Sequence, residues 1–196
     1  MANMASVAYA IEGSDESLNK IYEAILKAMS YKNCWTEYKA CELLGYTEEE
    51  LNDLTSGYSL GGAVEEKPTF NKKTGVLKFF AEERWGLQNF HELLKKKFPD
   101  IKVYWVVEEV GFDVFCTNDK EGKYFPARYW VDMAQDDVFQ SDYFKTEKAM
   151  YKWLDKVTHG RVKSEEDVEE FNADYEDSGA CDENFIYIHK FEVEED

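Results

Sequence analysis

Carboxylates are the residues of this chain whose number and spacing could do chemistry. Ten crowd one stretch: Glu165, Glu166, Asp167, Glu169, Glu170, Asp174, Glu176, Asp177, Asp182 and Glu183. Residues 161–196 hold 14 Asp and Glu against Arg161, Lys163 and Lys190, a net of -11 within a whole-chain charge of -18. A field this lopsided repels nucleic acid and anionic membranes and favours basic protein surfaces. Carboxylates fixed on a rigid scaffold would occupy a cationic groove as phosphates do. Without a scaffold they form a solubilising face, the usual role of acidic runs. A second pair, Glu108 and Glu109, ends the most apolar strand candidate beside Gly111. Two carboxylates at the rim of a cleft suit general acid–base work; an ordinary solvated strand end is the plainer reading.

Other chemistries have no signature. There is no phosphate-binding G-x-x-x-x-G-K-[ST] loop, no G-x-G-x-x-G turn and no G-x-S-x-G elbow. Cys34, Cys41, Cys116 and Cys181 form no C-x-x-C pair and read as small reduced core residues. His91, His159 and His189 lie far apart, without metal-ligand spacing. No aromatic motif with interleaved Lys and Arg announces RNA binding. The expectation is no catalytic residue, no cofactor and no metal.

The elements that must position these residues follow from periodicity. Ser6–Glu12 alternates as a strand, and Gly13 and Ser14 lead into a helix over Asp15–Ser30 with Leu18, Ile21, Ile25 and Leu26 on one face. Residues 34–56 read as a helical insertion: a helix from Thr36 stopped by Gly45, then a Thr47-x-x-Glu50 capping box. Ala63–Phe70 and Val76–Glu83 flank a hairpin turn at Gly75, with Pro68 marking an edge. A helix carrying Leu87, Phe90 and Leu94 ends at Pro99, with Lys95, Lys96 and Lys97 in its last turn. Ile101–Thr117 is the strongest strand signal, and Tyr124–Met133 returns as another strand. Thr146 caps a helix ending at Gly160, and Ser164 caps a short acidic one; Asp174–Glu183 reads as loop. Asn184–Val193 closes as a strand with Phe185, Tyr187, His189, Phe191 and Val193 on one face.

Strand, helix, strand, strand, helix, strand is the order of a split β-α-β unit. The expected fold is α+β: a ferredoxin-like sandwich, an antiparallel sheet with helices on one face. It would form one domain over 1–196, with the 34–56 insertion and an acidic carboxyl-terminal extension, 161–196, packed on it. The stretch MANMASVAYAIEGSDES has neither a basic nor an apolar signal region, and no run approaches the ~18 apolar residues of a membrane span. A cytoplasmic address is expected.

Phe79-Phe80-Ala81-Glu82-Glu83-Arg84-Trp85-Gly86, a helix ending Phe98-Pro99, and then Trp105 and Glu108-Glu109-Val110-Gly111 resemble the YubB-type ferredoxin-like family of plasmid, phage and mobile-element proteins. That pattern has a Trp before the second helix, a helix closing near an aromatic–Pro pair, and a strand with an E-x-G-like turn. The match covers about residues 76–122, and Gly86-Leu87 stands where the family usually has Pro after the Trp. The resemblance implies a fold and a mobile-element origin, and it brings no catalytic residues.

Two functions from different classes remain as expectations. One is a non-enzymatic acidic binding protein, in its sharp form a DNA mimic that blocks a host nucleic-acid-binding defence protein, as in anti-CRISPR or anti-restriction. The other is an adaptor or homodimeric assembly domain using a sheet face or edge through Tyr58, Tyr124, Phe125, Tyr129 or Trp130. A small enzyme built on scattered carboxylates is the third and weakest.

Overall fold

The first strand, β1 (Met4–Glu12), buries Ala5, Val7, Tyr9 and Ile11 on one face, the period of two that its sequence dictates. In this computed structural model all residues are described except 1–2, 55–59, 88, 137, 179–183 and 196; for 53–54 and 174–178 only the backbone is described. The chain divides into two compact units, Met1–Asp119 and Lys120–Glu194. Both are α+β with antiparallel strands.

In the first unit, α1 (Asp15–Ala28) starts where Ser14 Oγ accepts the Ser17 amide at 3.2 Å. Its stripe of Leu18, Ile21, Ala24, Ile25 and Ala28 packs onto the sheet. Two short helices follow, α2 (Thr36–Leu43) and α3 (Glu48–Leu54). The expected capping box is formed: the Thr47 amide donates to Glu50 Oε2 at 2.8 Å and the Glu50 amide to Thr47 Oγ1 at 3.2 Å. Then come β2 (Gly62–Ala63), β3 (Thr69–Asn71), β4 (Val76–Arg84), α4 (Phe90–Lys97), β5 (Lys102–Glu109) and β6 (Val114–Thr117). The strand expected over Ala63–Phe70 is thus two fragments. Pro68, which cannot donate to a ladder, stands just before the second.

The strands run in the order β6-β5-β1-β4-β2, with β3 also paired to β4. β1 pairs antiparallel with both β4 and β5, setting Tyr9 between Phe79 and Trp105. Tyr9 stacks on Phe79 at 4.7 Å and meets Phe90 of α4 edge-on at 6.3 Å. Leu77, Phe79 and Ala81 of β4 and Val103, Trp105 and Val107 of β5 complete the buried face.

In the second unit, β7 (Tyr129–Gln135) lies between β8 (Val138–Phe144) and β9 (Phe185–Lys190). The expected strand start at Tyr124 is corrected to Tyr129. Pro126 lacks an amide, and the Arg128 guanidinium binds the carbonyls of Lys120, Phe125 and Ala127, so this stretch is a tied loop. The helices α5 (Glu147–Val157) and α6 (Glu165–Ser178) share a core with the sheet, through Met150, Leu154, Val168 and Phe171 against Val131, Met133 and Ile186. Thr146 Oγ1 accepts the Ala149 amide at 3.2 Å, as its spacing predicts. The helix α6 also corrects the loop expected from Asp174, because it runs to Ser178. No Gly or Pro interrupts the sequence before Gly179, so nothing stops the helix once it has started.

The last strand keeps Phe185, Tyr187 and His189 on one face, as its alternation predicts. Ile186 and Ile188 point to the helices, while Phe185, Tyr187 and His189 occupy the opposite face. There His189 stacks on Trp130 at 4.9 Å and Phe185 on Tyr187 at 4.8 Å. The strand ends at Lys190, so Phe191 falls out of register and is buried. A two-residue strand, β10 (Glu192–Val193), follows.

Candidate functional site

The acidic stretch is carried by α6, and its anchors are visible residue by residue. Val168 and Phe171 point into the core, and the Arg161 guanidinium lies 4.9 Å from the Phe171 ring centre. Asn172 fixes the helix to β9 through two bonds: its Nδ2 donates to the Ile186 carbonyl at 3.0 Å and its Oδ1 accepts the Ile186 amide at 2.9 Å. Glu165, Glu166, Glu169 and Glu170 are all exposed. At 1.5 Å rise per residue, carboxylates four apart sit about 6 Å apart along the axis.

Asp167 is not part of that free set. Its carboxylate accepts the Lys163 amide at 2.7 Å, and its own amide donates to Ser164 Oγ at 3.3 Å. The Lys163 amide first, and then the Ser164 hydroxyl, hold the carboxylate's pKa below the usual range. Asp167 is a cap, and it fixes where the helix begins. Asp174, Glu176 and Asp177 continue on the α6 backbone, and Asp182 and Glu183 lie outside the described residues.

Glu108 and Glu109 are not brought together as a catalytic pair. They alternate across β5, so Glu109 is buried and Glu108 half-buried on the opposite face. The Glu109 carboxylate accepts the Gly111 amide at 3.1 Å and the Phe112 amide at 2.7 Å, capping the 3-10 turn Val110–Phe112. A Cβ at Gly111 would stand 2.9 Å from Glu109 Oε1, which explains the glycine. Cys34 is exposed, Cys41 and Cys116 are buried, and Cys181 lies outside the described residues. Among the described residues no cluster of His, Cys, Asp and Glu could hold a metal ion.

The carboxylates that sequence reasoning missed are inside the first unit. Glu37 of α2 and Glu83 of β4 are both fully buried. Glu83 Oε1 accepts the Tyr9 hydroxyl at 2.5 Å. No donor among the described residues reaches either oxygen of Glu37. Burial first, and then the neighbouring Glu83 carboxylate, push the Glu37 pKa well above the usual range. Tyr9 is raised too, by burial and then by the Glu83 and Glu37 charges. Cys41, one turn along α2, is pushed up by burial and then by Glu37.

Gly62 of β2 roofs the pair so closely that a Cβ there would lie 2.0 Å from the Glu37 carboxyl carbon. Beside it, Gly61 leaves room for Arg84, whose guanidinium lies 5.1 Å from the Trp35 ring centre. A signal existed. Glu37 shares the buried side of α2 with Thr36, Ala40 and Cys41, and Glu83 continues the inward row Leu77, Phe79, Ala81. A carboxylate at an apolar position of a regular pattern is the informative exception.

The first unit also carries an open groove of about 820 Å³ between α1, the end of α2 and the end of α4. Lys20, Lys27 and Lys97 line it, but so do Glu23 and Asp100, so its charge is mixed. Lys20 is held by Glu16 at 2.7 Å. Among the described residues no helix is long and apolar enough to cross a membrane.

Comparison with protein-family models, with characterised proteins and with solved structures finds no match to this chain.

Proposed function

We propose that this chain is a non-enzymatic binding protein that presents the α6 carboxylates to a basic partner, in its sharpest form to the nucleic-acid groove of a DNA-binding protein. One observation carries the reading: Glu165, Glu166, Glu169 and Glu170 project from a helix that Val168, Phe171 and Asn172 anchor to the sheet. A fixed array avoids the ordering cost that a disordered acidic tail meets on binding. The same proposal takes the first unit as a ferredoxin-like sandwich. It is supported by the strand order β5-β1-β4-β3, by α1 and α4 sharing a core with the sheet's buried face, and by the resemblance of residues 76–122 to the YubB-type family. A mobile-element protein directed against host nucleic-acid-binding defences fits that charge and that resemblance.

The test uses the immobilised full chain and a nucleic-acid-binding protein captured on it at low salt. Capture should fall steeply with added salt, be competed by duplex DNA, and vanish when Glu165, Glu166, Glu169 and Glu170 are all replaced by Lys. Capture that survives both DNA competition and the four replacements overturns the reading.

A second reading, a homodimeric assembly module, is favoured by the second unit's sheet. Strand β8 ends the order β8-β7-β9 and exposes Phe139 (71%) and Tyr143 (49%) on one face. Tyr143, Trp130 and His189 form one cross-strand row of that face. Of the other aromatics expected to serve, Tyr129 packs into the second core and Tyr58 lies outside the described residues. A dimer that persists at high salt in light scattering favours this reading over the first.

A further inference from the structure

We infer that Glu37 and Glu83 share a single proton, and that this proton latches α2 and β2 onto the sheet of the first unit. The inference begins with what faces Glu37. Tyr9 comes from β1, Glu83 from β4 and Cys41 from α2 itself, while Arg84, the next residue of β4, lies against Gly61 and the Trp35 ring. The buried side of α1 is Ser17, Leu18, Ile21, Ala24, Ile25 and Ala28, with no ionisable group. Helix α4 buries His91, whose ring centre lies 5.9 Å from that of Trp105. The residue opposite Glu83 on β2 is Gly62, which brings no side chain.

Two adjoining, fully buried carboxylates cannot both be ionised, because each charge is costly to bury and each repels the other. Glu83 is the natural anion, since its oxygen accepts the Tyr9 hydroxyl. No donor among the described residues reaches the Glu37 oxygens, so the bond open to Glu37 is made as an acid, by giving its own proton to Glu83. The chain is Tyr9 hydroxyl to Glu83 carboxylate, and Glu37 carboxyl to Glu83 carboxylate: two donors converging on one anion.

This proton joins three elements. It ties α2 to β4, and Gly62 closes β2 down on the Glu37 carboxyl with no space to spare. When the proton leaves, a second negative charge appears at the same place, and relief requires α2 or β2 to lift and admit water. The sign follows from linkage. The folded Glu37 binds its proton more tightly than the unfolded one, so the stabilisation is complete below the unfolded value of about 4.3 and is lost as pH rises through the raised folded value. Between the two values the folding equilibrium constant should fall about tenfold per pH unit from this one proton.

The experiment compares the full chain with Glu37→Gln, whose amide can donate to Glu83 at every pH. Expected for the parent are a protonated-carboxyl C=O band in the infrared spectrum in neutral D2O and a melting temperature that falls from about pH 5 upward. In Glu37→Gln that band should be gone and the fall flattened. Hydrogen exchange in α2 and β2 should accelerate with pH beyond its intrinsic increase in the parent only. Equal pH slopes in the two proteins overturn the latch. If the variant does not fold, the parent decides alone: no protonated carboxyl at neutral pH overturns the inference, and its presence with alkaline opening of α2 upholds it.

Discussion

The chain uses glutamate in two opposite solvents. In the first unit Glu37 and Glu83 are sealed among Tyr9, Cys41 and Gly62. In the second, Glu165, Glu166, Glu169 and Glu170 stand in water on the outer side of an anchored helix. The contrast separates what a carboxylate does for the fold from what it offers a partner. A buried one must be hydrogen-bonded, as Glu109 is by two amides, or give up its charge. An exposed one adds little to stability and keeps its full charge for a cationic surface. The two regions also answer pH with opposite signs. Asp167, whose folded pKa is lowered by the Lys163 amide, secures the start of α6 above its unfolded value of about 3.9 and releases it as pH falls through the folded one. Glu37, whose folded pKa is raised, secures α2 at low pH and releases it as pH rises.

The largest break in this comparison is Glu83→Ala. It removes the acceptor of both Tyr9 and Glu37, leaving two buried polar groups without partners and a void among aromatic rings. The expected loss is about 3–5 kcal/mol, the range for breaking a buried ionic network by deleting one member. Urea unfolding of the whole chain measures it, and a loss near zero would mean that the pair is solvated. Close behind is Phe171→Ala in the second unit, at about 3–4 kcal/mol for a lost core aromatic. Its damage should be local, with hydrogen exchange in α6 rising toward that of free chain while α1 and α4 keep their protection.

A smaller change sharpens the steric side of the latch. Gly62→Ala places a methyl where the Glu37 carboxyl already is, and should cost about 1–3 kcal/mol as overpacking. Combined with Glu37→Ala, most of that cost should vanish, because the obstacle is gone. Additive losses in the double variant would put the strain in the β2 backbone rather than in the carboxyl.

Much of this arrangement was legible in the sequence, and the gaps have physical causes. The Thr47–Glu50 box, the Thr146 cap and the alternation of Val103, Trp105 and Val107 are local signals, and each sits where its spacing puts it. Strand β8 has no such signal. Its residues Val138–Phe144 are exposed nearly throughout, so no apolar period marks the strand, and its pairing with β7 is set by tertiary context. The row Phe185, Tyr187 and His189 shares one face of β9 as the alternation predicts, but the strand ends before Phe191 and Val193, and Ile186 and Ile188 between the rings are the residues that reach the helices. Glu108 and Glu109 looked like a pair in one dimension and lie on opposite faces in three. The reverse holds for Glu37 and Glu83, which are 46 positions apart in sequence and adjoin in space. Charge density along the chain finds a surface stripe and is blind to a pair of that kind.

The smallest effect expected on stability belongs to the acidic stripe, and it is the most telling about function. Replacing Glu165, Glu166, Glu169 and Glu170 by Gln keeps the side-chain length and helix propensity while removing four charges. None of these residues is in the core or among the hydrogen bonds that hold Asp167 and Asn172 in place. The unfolding midpoint should therefore stay within error of the parent, with a slight gain at low salt as mutual repulsion is relieved. Partner capture should be lost nonetheless, and Asp167→Asn should do the reverse at acid pH, abolishing the protonation-linked fraying of α6 while sparing the four exposed charges. If the quadruple Gln protein unfolds, the stripe is structural after all and the division between the two sets of glutamates collapses. If it folds and still binds, charge on α6 is irrelevant to recognition, and the exposed aromatic face of β8 becomes the surface to mutate next.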